Sequence, residues 1–172
     1  MQRRTAIVLI VVFALGVAAG AIAAKKGIDR ALYSGKAKGE AAAALLDVAK
    51  RQAGKGSWEN IALGRVFYLS GKKDEAESFF NAVAKKEGSD WLRIGRIYNE
   101  AGDWEKAKEA FDRALKLEPK DAPWLAEIGG YYNMHGEREK AEEMFAKSFD
   151  IESAEFWSTV NVAGSYVGVK PQ

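Results

Sequence analysis

The stretch Trp91-Leu92-Arg93-Ile94-Gly95-Arg96-Ile97-Tyr98 decides the fold. Trp91, Ile94, Gly95 and Tyr98 fall on one face at helical spacing. Gly102 follows where a helix end needs a left-handed residue. Asp103 then stands at an N-cap place, with Glu105 in the first turn of a second helix. Ala107, Ala110, Phe111, Ala114 and Leu115 make that helix's inward face. Pro119 stops it, and Asp121 with Pro123 opens another unit. Glycine and alanine are small where paired helices cross, and the aromatics fill the space around that contact.

Working outward, the unit repeats. Gly64, Gly95 and Gly129 are 31 and then 34 residues apart. Ala76, Ala107 and Ala141 keep these intervals, as do Phe80, Phe111 and Phe145, and Gly71, Gly102 and Gly136. Four residue classes sharing the same offsets define a repeat architecture, in which each unit buries its faces only against its neighbours.

The middle unit resembles a tetratricopeptide repeat: Trp91, Ile94-Gly95, Tyr98, Ala107, Phe111 and Pro119 fall on the family's W-x2-L-G-x2-Y…A-x3-F…P pattern. The unit before it matches through Leu63-Gly64, Phe67, Ala76 and Phe80, with Asn60 in the tryptophan slot. The unit after it matches through Leu125, Ile128-Gly129, Tyr132, Ala141 and Phe145, without the closing proline. The resemblance implies an all-α fold of antiparallel helix pairs stacked as a right-handed superhelix. It sets three repeats at 57–87, 88–121 and 122–155. Residues 28–56 read as a linker and worn half-repeat, because Ala42 and Leu46 precede Ala76 and Phe80 by 34. Residues 156–169 read as a C-terminal helix, because Val162-Ala163-x2-Tyr166 follows Ile128-Gly129-x2-Tyr132 by the same interval.

The N-terminus is of another kind. Ala6 to Ala24 carries no charge and is bracketed by Arg3-Arg4 and Lys25-Lys26. A helix of that length spans about 28 Å, close to a bilayer's hydrocarbon core. Residues 1–27 therefore read as a transmembrane anchor contacting the bilayer through 6–24, or as a cleaved signal peptide with Ala21-Ile22-Ala23 as its small-x-small site. Gly16, Gly20 and Ala24 lie four apart, a spacing that lets two membrane helices approach. Charge counting favours a cytoplasmic C-terminal domain, whereas the signal-like layout favours export. In a bacterium the layout would make a single-pass inner-membrane protein with periplasmic repeats, the cytoplasmic orientation remaining open.

Composition narrows the function. The 172 residues hold 26 Lys+Arg, 24 Asp+Glu, one His and no Cys. Four cations and no acid lie in the first 26 residues, so the remainder carries −2. That balance argues against a nucleic-acid partner. Without cysteine there is no disulfide, thiolate metal site or thiol nucleophile. No phosphate loop, serine elbow or metal-ligand spacing occurs, so no cofactor, metal or catalytic residue is expected, and the chain reads as a non-enzyme.

Binding is what remains. The resemblance implies a protein-interaction scaffold whose first helices line a groove. The groove-facing candidates are Arg65, Tyr68, Arg93, Arg96, Asn99, Glu127 and Asn133. Arg65 and Arg96 hold equivalent places and suit a carboxylate or an acidic peptide, while an Arg96–Glu100 pair at i,i+4 is the plainer use of the same charge. The Lys/Asn/Asn/Lys/Arg clamp with which some family members grip acidic chain ends is not reproduced, since Ile61 and Leu92 occupy groove places. Phe156, Trp157, Val160, Tyr166 and Val167 give the C-terminal helix more apolar surface than one packed face needs. One apolar side is expected to cover the third repeat, and the surplus to meet a partner, a second copy or the membrane surface. Single His135 reads as a surface turn residue. Two functional readings stand: a membrane-anchored docking or assembly factor for a membrane or envelope protein complex, and a permanent accessory subunit held by its membrane helix and apolar C-terminus.

Overall fold

The computed structural model describes residues 28–171. After a 3₁₀ turn at Arg30–Leu32 come eight α-helices, and no strand occurs among the described residues. They are α1 (Lys38–Gln52), α2 (Ser57–Leu69), α3 (Lys73–Ala82), α4 (Gly88–Glu100), α5 (Trp104–Leu117), α6 (Ala122–Met134), α7 (Arg138–Ile151) and α8 (Phe156–Tyr166). The helices pair as α2 with α3, α4 with α5 and α6 with α7, while α8 lies on α6 and α1 rests on α2. No described helix is long and apolar enough to cross a membrane. The expected span at 6–24, with Gly16, Gly20 and Ala24, lies outside the described residues.

The turn inside each pair is built the same way three times. Gly71, Gly102 and Gly136 have φ of +86°, +79° and +82°. The next residue's N–H reaches back to the carbonyl of Phe67, Tyr98 or Tyr132 at 2.9, 2.9 and 3.0 Å. This is the Schellman closure, and it requires the left-handed residue that glycine supplies without strain. Asp103 stands at the N-cap position of α5, but its carboxylate makes no capping bond. Asp121 does cap, accepting from the Trp124 N–H at 2.9 Å.

Within each pair a phenylalanine ring lies flat on a glycine: Phe80 on Gly64, Phe111 on Gly95 and Phe145 on Gly129. A Cβ at any of these glycines would come within 3 Å of the ring. The repeated Gly/Phe spacing is thus the imprint of one close helix contact. Ala76, Ala107 and Ala141 are fully buried beside it, in a core that runs from Ile61 to Phe145.

The last helix departs from expectation. The side α8 turns to the third repeat is polar: Ser158, Asn161 and Ser165 are its buried residues, with Val162 half-buried. Phe156, Trp157, Val160, Tyr166 and Val167 are all exposed. Small side chains explain the inversion. Ser165 Cβ and the Asn161 backbone carbonyl each lie 3.5 Å from where a Cβ on Gly130 would stand, and hydrogen bonds satisfy the buried hydroxyls. Ser148 Oγ donates to the Ala122 carbonyl at 2.7 Å and lies 3.1 Å from Ser158 Oγ, while Asn133 Nδ2 donates to Ser165 Oγ at 3.0 Å.

Candidate functional site

A groove of about 310 Å³ opens between α2 and α4, the first helices of the first two repeats. Ile61, Ala62 and Ile97 form an apolar floor, and Arg65, Arg93, Arg96 and Glu100 stand around it. Trp58 forms one wall and is 65% exposed.

Arg65, Arg93 and Arg96 therefore meet at one site, but none offers a free charge. Arg65 gives two hydrogen bonds to Glu100, at 3.0 and 2.6 Å. Arg96 gives two to Glu127, both at 2.6 Å. Arg93 lies 3.4 Å from the Asp90 carboxylate, and its guanidinium stacks on the Trp58 ring at 3.4 Å from the centroid. The i,i+4 pair expected between Arg96 and Glu100 does not form, because both arginines reach across to the following repeat. Three cations facing three carboxylates leave the groove near neutral, so the expected grip on an acidic peptide loses its electrostatic basis.

The other four candidates hold repeats together. Tyr68 is buried in the core at 1% exposure, and its hydroxyl donates to Asp103 Oδ2 at 2.6 Å. Burial first, and then Asp103, push that phenol's pKa up. Glu127 is buried as the counter-ion of Arg96. Asn99 Oδ1 lies 2.7 Å from His135 Nε2, and Asn133 bonds to α8. Tyr68, Asn99 and Asn133 face the unit that follows and Glu127 the unit that precedes, because a first helix lies against its neighbours in the stack as well as its partner helix.

Equivalent positions act alike. Asp103 and Glu137 each precede a second helix and each accept from the repeat before. Asp103 takes the Tyr68 hydroxyl and Lys73 at 2.7 Å, and Glu137 takes Trp104 Nε1 at 2.7 Å. Lys73 holds the Asp103 carboxyl below its usual range, and the Trp104 N–H does the same for Glu137. His135 is exposed in the turn after α6 and stacks on Trp104 with centroids 4.0 Å apart. Partial burial there lowers its pKa and favours the neutral ring.

Sequence reasoning missed Trp58. It lies at the start of α2, ahead of the repeat's apolar pattern, and nothing in the spacing marks it. Its one legible sign is a large aromatic at a helix N-terminus whose equivalents in the next two repeats are Ser89 and Pro123. A second cavity, of about 250 Å³ beside α3, α4 and α5, is lined by Glu77, Lys86, Trp91, Lys106 and Arg113. Its Glu77 is already engaged by Tyr98 and Lys106. No group of His, Cys, Asp and Glu suited to a metal ion occurs among the described residues.

No curated protein matches the chain as a relative. Residues 89–121, which form α4, α5 and the turn after them, match the tetratricopeptide repeat family. The chain thus carries a repeat of the kind that serves protein–protein interaction, set in an all-helical stack.

Proposed function

We propose that the protein is a non-enzymatic scaffold, anchored to a membrane through residues 6–24, that holds a partner segment in the groove between α2 and α4 and so serves the docking or assembly of a membrane-bound complex. The observation that carries this reading is the groove itself: an apolar floor, an exposed Trp58 and arginines already neutralised by the fold. Such a surface suits a segment that inserts apolar or aromatic side chains, with Trp58 as the energetic centre. The arginine–carboxylate rim sets orientation more than strength. The anchor is supported by the uncharged run and its flanking cations. Confining the groove to a membrane raises the effective concentration of partners bound there.

The test is site-specific photo-crosslinking in native membranes, with the reactive side chain placed at the exposed Glu100 of the full-length chain and, as a control, at Lys140 on α7. The expected result is a discrete protein adduct from Glu100 only, which persists at high salt and is lost on Trp58→Ala. Trp58 is exposed enough for that change to leave folding intact. Adduct formation equal at the two positions, or abolished by salt, overturns the groove assignment. Extraction of the full-length chain by alkaline carbonate overturns the anchor.

A further inference from the structure

The two ends of the stack carry complementary halves of one repeat. α1 stands in the register of a second helix: Ala42, Leu46 and Ala49 lie 34 residues before Ala76, Phe80 and Val83. In that register residues 23–35 fall where its partner first helix would be, and the described part of that range, 28–35, makes only the 3₁₀ turn Arg30–Leu32. α8 stands in the register of a first helix, with Val160, Ala163 and Tyr166 lying 34 residues after Ala126, Gly129 and Tyr132. No second helix follows it among the described residues.

Among the described residues, burial leaves both halves open. Tyr98 and Tyr132 are buried, whereas Tyr166 is 48% exposed. Leu92 and Ala126 are buried, whereas Val160 is 43% exposed. At the other end, Ile97 and Tyr131 are buried, whereas Val66, at the same place in α2, is 44% exposed. Ala42 is exposed where Ala76, Ala107 and Ala141 are sealed. Between α1 and α2 runs a groove of about 330 Å³ with Leu46, Ala49, Ala62, Leu63 and Val66 along it. It occupies the place that a preceding first helix fills inside the stack.

The shapes of the two ends match. Every internal pair sets a phenylalanine against a glycine. At the ends the corresponding residues are Leu46 and Ala163. The second-helix residue has lost its ring and the first-helix residue has gained a methyl, so the combined volume stays suited to a close-packed contact.

We propose that α8 of one copy seats in the α1–α2 groove of a second copy, completing a further helix pair, so that the chain assembles head to tail. Val160 and Tyr166 of one copy are then covered by α2 and α1 of the next. The contact is heterologous, and it builds a ring or an open file rather than a two-fold dimer. This assembly uses the ends of the stack and meets the α2–α4 groove only at Ala62, which lines both grooves.

The absence of native cysteine makes the test direct. Leu46→Cys and Ala163→Cys are introduced singly and together into the full-length chain, which is purified in detergent and treated with a short bis-maleimide. The double variant is expected to give a ladder at multiples of 18.8 kDa. An equal mixture of the two single variants is expected to stop at a dimer, and each single variant to stay a monomer. Val160→Glu in the double variant is expected to abolish the ladder at unchanged helicity. Ala42→Cys, at an exposed position, replaces Leu46→Cys in a parallel series should the latter disturb α1. Monomer in every lane, a dimer from Ala163→Cys alone, or a link formed within one chain each overturns the proposal.

Discussion

Arg65 and Arg96 hold the same place in adjacent repeats, yet their carboxylate partners differ in kind. The Glu100 side chain is 41% exposed, whereas that of Glu127 is 4% exposed. Breaking an exposed pair forfeits little, because water takes over each charge. Removing Arg96 instead strands a buried carboxylate. Arg96→Ala is therefore expected to destabilise the fold by about 3–5 kcal/mol, and Arg65→Ala by less than about 1 kcal/mol. Urea denaturation of the two variants checks the difference. The pair Arg96→Met with Glu127→Leu, which removes both charges, is expected to recover most of the Arg96→Ala loss. Equal losses from Arg65→Ala and Arg96→Ala would refute the burial argument. The sequence shows the equivalence of the arginines but not their partners. Arg65 reaches 35 residues ahead and Arg96 only 31. A guanidinium can swing one turn forward or one turn back along the neighbouring helix, and residue spacing does not encode that choice.

Among the elements, α8 shows where periodicity stops being informative. Its apolar surplus is plain in the sequence, and so is its place in the register. Which side faces inward is not, because a row of serines and an asparagine reads as a solvated face. Here Ser165 is the right size to lie against Gly130, and the hydroxyls of Ser165 and Ser158 find partners across the interface. The seal depends on Ser148, a fully buried residue of α7 whose hydroxyl joins the Ala122 carbonyl at the start of α6 to Ser158 of α8. Ser148→Ala leaves the Ser158 hydroxyl without that partner and the Ala122 carbonyl without that donor. The expected loss is about 1–3 kcal/mol, felt in α8 before the rest of the stack. Faster amide exchange in α8 at unchanged exchange in α4 is the readout. Uniform acceleration across both helices would show that α8 is not a separable unit. The turns, by contrast, were legible to the residue, since a positive φ is what Gly71, Gly102 and Gly136 are there to supply.

At the scale of the whole molecule, the described residues form a nearly one-dimensional stack, with helices touching chiefly their partners and the adjoining repeats. The Gly/Ala/Phe offsets made this architecture readable, because each offset reports the same helix crossing repeated along the chain. The family match at 89–121 falls on the unit where tryptophan, glycine, tyrosine, alanine, phenylalanine and proline are all present. In the flanking units Asn60 replaces the tryptophan and the closing proline is missing, so register and helix geometry are what they share with the matched unit. Linear stacking has a consequence for stability, because strain in one repeat spreads only as far as its neighbours. Gly64→Ala pushes a methyl into the Phe80 ring, and Gly129→Ala does the same to Phe145. Each is expected to lose about 1–3 kcal/mol through overpacking. Amide exchange should locate the two losses differently. Gly64→Ala should speed exchange in α2 and α3 while leaving α6 and α7 protected as before. Gly129→Ala should expose α6 and α7, and α8 with them, because α8 is held chiefly by α6. If both variants accelerate exchange along the entire chain alike, the repeats fold as one cooperative block and the nearest-neighbour picture fails. If the effects stay local, the head end that bears the α1–α2 groove can loosen or tighten without disturbing α8, and a copy added at one end would stabilise mainly the repeat it touches.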